Sequence, residues 1–520
     1  MNKPGFIVIS LLTAFCLSTF AVQKERSLKN PFFVFNNSLN KKDVPFIPYE
    51  EQALLLKKYG YDGIEHRETA GIMELKDAFD KQGLKIYADY VRIDIDQKEP
   101  YLPEWKEAIP KLKGTEIILW CHIHSEKYKP SDEAADKIIV PILQELADFA
   151  KPYGVRLAIY PHVDFLADKA EDSFRLATKA NRENVGSVFN LCHFLKTDSE
   201  ENLAKVIEMT LPKLFAVSVC GADGGDTRSM GWDRLIQPLG QGTFDVYRLV
   251  ELLADRGYTG PIGLQCYNLK GAPEPYLKQS MEAWKSFKQK YAAPVNSLSK
   301  QEKTEGWQLL FDGKSANQWR GINQKSFPEK GWKIENGELV ACVHGGAESA
   351  NGGDIITKKK YGNFILKWEW NMKTKGGNSG LKYFVQEGLG NNKGYGFGLE
   401  YQLLDDKYHA WMLNGKMQPN DYHTLGSLYE IYPASADKRP NPIDLWNESM
   451  IVSKGNHVEH WLNGKKILEY NRSSNDFKEK IAASKFKDIP GYGVIPEGHL
   501  LLQDHGSIIH FRNIKIKELK

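Results

Sequence analysis

Two apolar runs in the last quarter of the chain carry side chains that can transfer protons. Glu400 and Gln402 lie two residues apart within one run, so both point to the same face if the run is a strand. The second run ends in Gln503-Asp504-His505, and Arg512 follows it closely. These segments supply a carboxylate, an imidazole and amide or guanidinium donors, which can serve as base, acid and oxyanion donors in proton-transfer catalysis. We therefore predict five catalytic residues: Glu400, Gln402, Asp504, His505 and Arg512.

Two further residues add a small amide and a phenol to this group. We predict that Asn378, which opens a polar turn, and Tyr429 bind the substrate. The alternative for every residue of the group is structural, because polar side chains on the face of a sheet are usually solvated. For Arg512 the structural alternative is an ion pair with a carboxylate.

The elements that would position these residues follow from the pattern of residues 305–520. Short apolar runs punctuated by Gly and Asn replace helical periods there, which favours many antiparallel strands. Asn463-Gly464 lies between two such runs and predicts a two-residue hairpin turn. The expected fold of this part is an all-β jelly-roll or concanavalin-like sandwich.

The first half of the chain predicts a different domain. Apolar runs alternate with amphipathic stretches, and eight buried strands that are each followed by a helix predict a closed parallel (β/α)8 TIM barrel. We assign residues 22–291 to this barrel and the unpatterned residues 292–304 to a linker. The chemistry of such a barrel lies where its strands end. The predicted strands are Phe32–Asn36, Gly63–Glu65, Leu84–Tyr90, Thr115–Cys121, Val155–Tyr160, Ser187–Leu191, Leu214–Cys220 and Pro261–Cys266.

The N-terminus predicts export. Lys3 precedes a mostly apolar stretch, Phe6–Phe20, which runs into the small-x-small site Thr19-Phe20-Ala21. Residues 1–21 are typical of a cleaved signal peptide, so we expect the protein in the periplasm or outside the cell. No later segment has about eighteen consecutive apolar residues, and we expect no membrane span.

Charge and cysteine usage exclude other classes of function. The formal net charge is +3, and no dense stripe of Lys or Arg accompanies it, so nucleic-acid binding is not expected. Of the six cysteines, Cys16 lies in the predicted signal peptide, and the other five are scattered singly without a C-x-x-C pair. This spacing argues against a disulfide framework and against a cysteine-based zinc site.

The barrel carries a resemblance at the ends of its last four strands, which read LAIYPHVDF, VFNLCHFL, FAVSVCGAD and IGLQCYN. It resembles the xylose isomerase-like family, which includes sugar phosphate isomerases and epimerases. That family holds a divalent metal there through two glutamates, an aspartate and a histidine. The matching positions of this chain are Tyr160, Asn190, Ser218 and Gln265. All four are neutral, whereas a hard cation prefers carboxylate oxygens, so we predict no metal bound in the family's manner.

Three interpretations of the barrel stay open. One is a scaffold that has lost catalysis. Another is a divalent metal in a non-standard histidine site, for which the candidates are His66, His122, His124, His162 and His193. The remaining one is a metal-free sugar pocket, with the predicted substrate-binding residues Tyr160, His162, Asn190, His193 and Gln265.

The second domain carries several motifs in one order, among them WQLLFDGKSANQW, YGNFILKWEWNMKTKGGNSGLKYF, GFGLEYQLLDD and LLLQDHGSIIHFRNIKI. It resembles the 3-keto-disaccharide hydrolase domain. The resemblance implies glycosides oxidised at C3 of the sugar as substrates, with a sugar 3-dehydrogenase in the same pathway.

Such substrates have a specific chemistry. A ketone at C3 acidifies the C2 hydrogen, so loss of that proton, departure of the C1 oxygen and addition of water together equal hydrolysis. The expected function is this hydrolase or lyase activity in an exported enzyme. The alternative is a carbohydrate-binding sandwich on a catalytically degenerate sugar isomerase or epimerase barrel.

Overall fold

The computed structural model describes residues 26–40, 45–342, 348–389 and 396–520. The predicted signal peptide, residues 1–21, lies outside these ranges. Eight parallel strands close into a barrel in chain order, which confirms the predicted TIM barrel. Its strands are β1 (Phe32–Val34), β2 (Gly63–Arg67), β3 (Lys85–Asp94), β4 (Ile118–His124), β5 (Arg156–Ile159), β6 (Val185–Asn190), β7 (Leu214–Val219) and β8 (Ile262–Leu264).

Helices cover the outside of the barrel because one face of each is apolar. In the helix Val246–Asp255, for example, Leu249 and Leu253 are buried against the barrel, and Gly257 follows in the left-handed conformation that ends helices. Within the described residues no helix is long and apolar enough to cross a bilayer. The helices are α1 (Tyr49–Tyr59), α2 (Ile72–Asp80), α3 (Trp105–Lys111), α4 (Asp136–Ala150), α5 (Ala170–Ala180), α6 (Leu191–Thr197), α7 (Leu203–Thr210), α8 (Trp232–Leu235), α9 (Val246–Asp255) and α10 (Pro273–Ala292).

The interior of the barrel is packed with side chains and is not a channel. Phe33, Trp120 and Tyr160 are fully buried there, and the rings of Trp120 and Tyr160 stack with their centroids 5.2 Å apart. Tyr160 closes this layer at the end of β5, so the ligand-accessible space begins above it.

The second domain is a sandwich of two antiparallel sheets, as predicted. One sheet has the order β10-β13-β20-β15-β16, and the other β11-β12-β21-β14-β17-β18-β19, with β9 paired to β21. The strands are β9 (Trp307–Leu309), β10 (Trp319–Gly321), β11 (Trp332–Glu335), β12 (Glu338–Ala341), β13 (Ile355–Thr357), β14 (Phe364–Met372), β15 (Asn378–Gln386), β16 (Phe397–Leu404), β17 (Asn447–Lys454), β18 (His457–Leu462), β19 (Lys465–Asn471), β20 (His499–Leu502) and β21 (Ile509–Glu518).

The sandwich core is aromatic, and its turns follow local rules. Trp368, Tyr383 and Tyr401 are buried between the two sheets. Asn463 and Gly464 join β18 to β19 with φ angles of 46° and 81°, which confirms the predicted hairpin turn. Two helices, α12 (Ala410–Leu413) and α13 (Asn475–Ala483), lie in its connections.

The predicted linker is held against the sandwich. It contains a short helix, α11 (Lys300–Thr304), whose N-cap Ser299 forms a capping box with Glu302. Before it, the backbone N–H of Asn296 donates to Asn513 of β21 at 2.6 Å, and the side chain of Asn296 accepts from the backbone of Asn513 at 2.7 Å.

A buried ionic network joins the two domains. Arg248 of α9 donates to Glu251 at 2.6 Å and to Glu369 of β14 at 2.9 Å. Arg512 of β21 donates to Glu369 at 2.6 Å and to Glu251 at 2.7 Å, and its guanidinium lies 4.0 Å above the ring of Trp446. Burial favours the neutral form of Glu369, but the two arginines outweigh it and hold the pKa of Glu369 well below its usual range. The sequence-based grouping of Arg512 with the catalytic residues is thus corrected, because its partners are structural.

Candidate functional site

A small polar cavity of about 120 Å³ opens on the outer face of the five-stranded sheet. The antiparallel register of β15 and β16 places Lys382 opposite Glu400 and Gly380 opposite Gln402. The alternation along β16 turns Tyr401 into the core and its two polar neighbours into the cavity. The cavity is lined by Glu348, Asn378, Lys382, Gly396, Phe397, Gly398, Glu400, Gln402, Tyr429, Lys485, Phe486, Gln503 and His505.

Lys382 is the electrostatic centre of this cavity. Its ammonium lies 3.5 Å from Glu348 and 3.8 Å from Glu400, and it donates to the carbonyl of Gly396 at 3.3 Å. Burial would favour neutral Lys382, but Glu400, Asp354 and Glu348 raise its pKa above the ordinary value, so the ammonium stays charged. A fixed positive charge in a buried site is suited to stabilise an oxyanion.

The carboxyl group of Glu400 is suited to take up a proton. It is 5% exposed, and burial raises the pKa of Glu400 above its ordinary value, while Lys382 opposes this effect. Gly380 lies diagonally across from it on β15, and a Cβ at this position would overlap the Glu400 carboxylate. The absence of a side chain at residue 380 therefore makes room for the carboxylate.

Gln503 lies beside these charges with unused hydrogen-bonding capacity. Its Nε2 donates to Glu348 at 2.9 Å, while its Oε1 is buried and accepts no hydrogen bond from the residues that the structure describes. An unpaired buried acceptor is costly unless a ligand or water satisfies it. A ligand group that donates a hydrogen bond would satisfy it.

His505 shares hydrogen bonds with two of the predicted residues. Its Nε2 lies 3.3 Å from the amide nitrogen of Asn378, whose oxygen accepts from Gln402 at 3.2 Å. Asn378, Gln402 and His505 therefore form a connected polar wall beside Glu400. Of the five residues predicted to be catalytic, the structure brings Glu400, Gln402 and His505 together at this cavity and places Asp504 and Arg512 outside it.

Asp504 lies behind the cavity rather than in it. It is fully buried, its backbone N–H donates to Asp354 at 3.0 Å, and its carboxylate accepts from the backbone of Gly506 at 3.3 Å. Burial raises the pKa of the neighbouring Asp354 to about 7. The sequence-based prediction of Asp504 as catalytic is therefore corrected, since its neighbour His505 faces the cavity and Asp504 faces inward.

Sequence reasoning missed three charged residues of this site. Lys382 carried a usable signal, because it is a lone charge on the Gly380 face of an otherwise apolar run. Glu348 and Lys485 carried none, since each comes from a loop whose approach to the sheet depends on the tertiary fold. Tyr429, predicted to bind substrate, does line the cavity, and its hydroxyl accepts from Lys485 at 3.0 Å.

The barrel has a separate pocket of about 450 Å³ at the ends of its strands. The rings of His162 and His193 pack there at a tilt of 43°, with their centroids 4.1 Å apart, and Tyr160 and Gln265 line the same space. Asn190 does not reach it, because it lies behind Tyr160 and donates to the Tyr160 hydroxyl. The predicted role of Asn190 in substrate binding is thus corrected to support of Tyr160.

The residues at the family's metal positions do not fit a divalent cation. The side-chain oxygen of Gln265 accepts from Asn37 at 2.6 Å and from two backbone N–H groups at 3.0 Å. The oxygen of Asn190 accepts from Cys192 at 3.1 Å, and Ser218 is fully buried. The side-chain oxygens of Gln265 and Asn190 are therefore used within the protein, and none of the four aligned residues is a carboxylate.

The barrel histidines are also poorly arranged for a metal. His122 and His124 are hydrogen-bonded to each other at 2.6 Å, and burial together with His124 lowers the pKa of His122 to about 3. Among the described residues, the group of three ligands within reach of one ion is His457, Glu459 and Glu469, on the β18–β19 hairpin and far from the barrel strands in sequence.

We expect purified protein to hold no stoichiometric metal in the barrel. Elemental analysis of the full chain after dialysis against added Zn²⁺ or Mn²⁺ should give the same metal content for the wild type and for Gln265→Ala. Stoichiometric metal that is lost in Gln265→Ala or Asn190→Ala would contradict this expectation. His457→Ala is the matched control, because it removes a ligand of the surface group.

A larger cleft of about 920 Å³ separates the two domains. Its charged side chains pair with one another: Lys407 binds Glu201, and Lys438 lies 3.2 Å from Asp406. The charges of these two pairs are thus neutralised within the protein.

Comparisons with known proteins match the two domains separately. Residues 306–517 match a family described as the 3-keto-alpha-glucoside-1,2-lyase-like domain, and residues 53–287 match the xylose isomerase-like TIM barrel. A crystal structure of a Parabacteroides distasonis protein matches with a TM-score of 0.39 at 39% identity, covering 44% of this chain and 100% of that one.

Two relatives of known name also match the two domains separately. An inosose isomerase of Bacillus subtilis is 25% identical over 247 residues, which is 44% of this chain and 86% of that protein. A 3-keto-disaccharide hydrolase of Bacteroides thetaiotaomicron is 33% identical over 248 residues, which is 44% of this chain and 83% of that protein. Since this identity extends over most of the Bacteroides protein, the chain belongs to the 3-keto-disaccharide hydrolase family, with a xylose isomerase-like TIM barrel in front of the hydrolase-like domain.

Proposed function

We propose that the second domain cleaves glycosides with a ketone at C3 of the sugar, by elimination followed by hydration. The observation that carries this proposal is the buried Glu400 carboxylate beside the charged Lys382 in a polar cavity. A base next to a fixed positive charge is what proton abstraction beside a carbonyl requires. The relative's name, 3-keto-disaccharide hydrolase, supports the same substrate class.

The steps follow from the chemistry of the ketone. Glu400 takes the C2 proton, and the electron pair moves onto the C3 oxygen, where Lys382 and His505 stabilise the enolate. The enolate then reforms the ketone, the C1–C2 double bond forms, and the C1–O bond breaks with its electrons on the departing oxygen. Water adds to C1 and a proton returns to C2, which gives the free 3-keto sugar and the alcohol.

The rival function is a carbohydrate-binding module without turnover. Sugar-binding surfaces of that kind rely on exposed aromatic rings. The Glu400 cavity instead places the buried Lys382 and Glu400 beside the exposed Glu348, and all three have perturbed pKa values, which favours catalysis.

Turnover of a 3-keto-glucoside tests the proposal directly. Pure protein mixed with a 3-keto-glucoside should release the alcohol, with the conjugated enone as an intermediate that absorbs in the ultraviolet. The parent glucoside with a hydroxyl at C3 should not react, because its C2 hydrogen is not acidic. Release of alcohol from the parent glucoside at a comparable rate would indicate ordinary glycosidase chemistry instead.

The proposed substrate must be produced by another enzyme, and the barrel pocket needs a ligand. Because the C3 ketone must be made by oxidation, we propose that a sugar 3-dehydrogenase supplies the substrate. The barrel pocket, with Tyr160, His162, His193 and Gln265, is proposed as a metal-free sugar site that receives a substrate or product of the second domain.

We also propose export, with cleavage near Ala21. Mass spectrometry of the chain from its native host should show a mature N-terminus at about residue 22 and no residues of the apolar stretch Phe6–Phe20. An intact Met1, or a lipid on Cys16, would contradict this expectation.

A further inference from the structure

A chain of charged and polar contacts leads from the surface of the second domain to the Glu400 cavity. His423 Nδ1 lies 2.6 Å from Asp421, and its Nε2 lies 3.2 Å from Glu430. Glu430 in turn lies 3.2 Å from the ammonium of Lys485, which donates to the Tyr429 hydroxyl at 3.0 Å. Tyr429 and Lys485 both line the cavity, so the chain of contacts ends at a phenol beside the candidate base.

The backbone fixes where Tyr429 stands. Its N–H donates to the carbonyl of Glu400 at 3.1 Å, so the loop that carries Tyr429 is joined to β16 at the residue that supplies the base. The ring is half-buried, packs 5.1 Å from the His423 ring and is covered by the Lys485 ammonium at 4.3 Å. Contacts on these sides leave the phenol limited freedom to turn away from the cavity.

Glu430, the residue after Tyr429, has an unfavourable backbone conformation that helps to hold this chain of contacts. Glu430 has a φ of 68°, a left-handed conformation that a glutamate rarely adopts. Such a conformation is unfavourable for a residue with a side chain and persists when surrounding contacts determine it. Here those contacts are His423 and Lys485, which the Glu430 carboxylate reaches from this conformation.

The direction of the Lys485 hydrogen bond leaves the phenolic proton available. An ammonium has donors and no acceptor, so the Tyr429 oxygen accepts from Lys485, and its own O–H is not used in that bond. Burial raises the pKa of Tyr429, and Lys485 opposes this rise. The phenol is therefore protonated before reaction, and the ammonium beside it stabilises the phenolate after the proton has left.

We propose that Tyr429 is the acid that protonates the departing C1 oxygen and that Lys485 is its positioning residue. This assignment rests on the proposed function and completes it, because Glu400 and Lys382 account for the base and the enolate but not for the leaving group. As the C1–O bond breaks, its electron pair takes the phenolic proton of Tyr429. The resulting phenolate, held by Lys485, recovers a proton from the water that enters for hydration.

The assignment predicts a dependence on the leaving group. Methoxide is a poor leaving group, so the methoxy oxygen must be protonated as it departs. In contrast, 4-nitrophenolate leaves readily as an anion. In the full chain, Tyr429→Phe should lower kcat on a methyl 3-keto-glucoside by roughly 10²–10³-fold, the size of a lost general acid. The same variant should leave kcat on the 4-nitrophenyl 3-keto-glucoside nearly unchanged. The matched control is Tyr422→Phe, which removes an exposed phenol of the same loop that does not line the cavity.

Lys485→Met tests the positioning role. It should give a smaller loss than Tyr429→Phe, again on the methyl substrate and not on the nitrophenyl substrate. Thermal melting checks that each variant is folded. Equal losses on both substrates, or no loss on the methyl substrate, would overturn the assignment of Tyr429 while leaving the proposed function in place. A wild-type protein that turns over neither substrate would overturn the proposed function and this assignment with it.

Discussion

Replacing Glu400 by Gln should lower kcat on a 3-keto-glucoside by roughly 10²–10⁴-fold, because the amide cannot accept the C2 proton. The change keeps the shape of the side chain, and Lys382 keeps Glu348 as a partner at 3.5 Å. The fold should therefore persist, and substrate binding should change less than kcat. The measurement is steady-state release of the alcohol, with thermal melting of the same samples.

The pH dependence gives an independent readout for Glu400. A base must be ionised to act, and burial raises the pKa of Glu400 above that of an ordinary glutamate. Activity of the wild type should thus fall as pH decreases through this raised value, at a higher pH than an exposed carboxylate would give. The residual activity of Glu400→Gln should lack this acidic limb.

Glu387→Gln is the matched control for this prediction. Glu387 follows β15 on the same sheet, pairs with Arg320 at 2.6 Å and does not line the cavity. Its replacement should leave kcat and the acidic limb unchanged. Full activity of Glu400→Gln, or an equal loss in Glu387→Gln, would move the base elsewhere.

Replacing Arg512 by Met should destabilise the protein by roughly 3–5 kcal/mol, because it leaves two buried carboxylates without one of their guanidinium partners. Arg512 is 4% exposed and binds both Glu369 and Glu251. In the variant Glu369 keeps only Arg248 as a guanidinium partner, and Glu251 keeps Arg248 and the more distant Arg26 at 3.3 Å. Urea unfolding, followed by probes in both domains, should show the loss.

The same variant separates structure from catalysis. Arg512 does not line the Glu400 cavity, so the folded fraction of Arg512→Met should turn over the 3-keto-glucoside with an unchanged kcat. Arg320→Met is the control, because its pair with Glu387 is partly exposed and should contribute about 1 kcal/mol or less. A variant of Arg512 that is as stable as the wild type but inactive would restore its predicted catalytic role.

Local patterns were sufficient for the architecture. Buried strands followed by helices predict a closed parallel barrel, since successive parallel strands need a crossover helix. The alternation along residues 397–404 placed Glu400 and Gln402 on one face, and the end of the β20 run placed His505 nearby. These features depend on the period of side chains along a strand, which is fixed by backbone geometry.

Contacts between distant parts of the chain decided which side chains share each pocket. The register of β15 against β16 brought Lys382 to Glu400, and two loops brought Glu348 and Lys485 to the same cavity. Asn190 lies behind Tyr160 and donates a hydrogen bond to its hydroxyl, so it does not line the barrel pocket. No local pattern contains this information, because each contact joins residues that are far apart in sequence.

The sequence by itself determined the two fold classes, the strand that carries the candidate base, and the loss of charged residues at the metal positions of the barrel. The tertiary structure decided which charges share a cavity with Glu400 and which, like Arg512, bind the other domain. The physical reason is that strand periodicity is a local property of the backbone, whereas the charge around a titratable group is summed over all elements that fold against it.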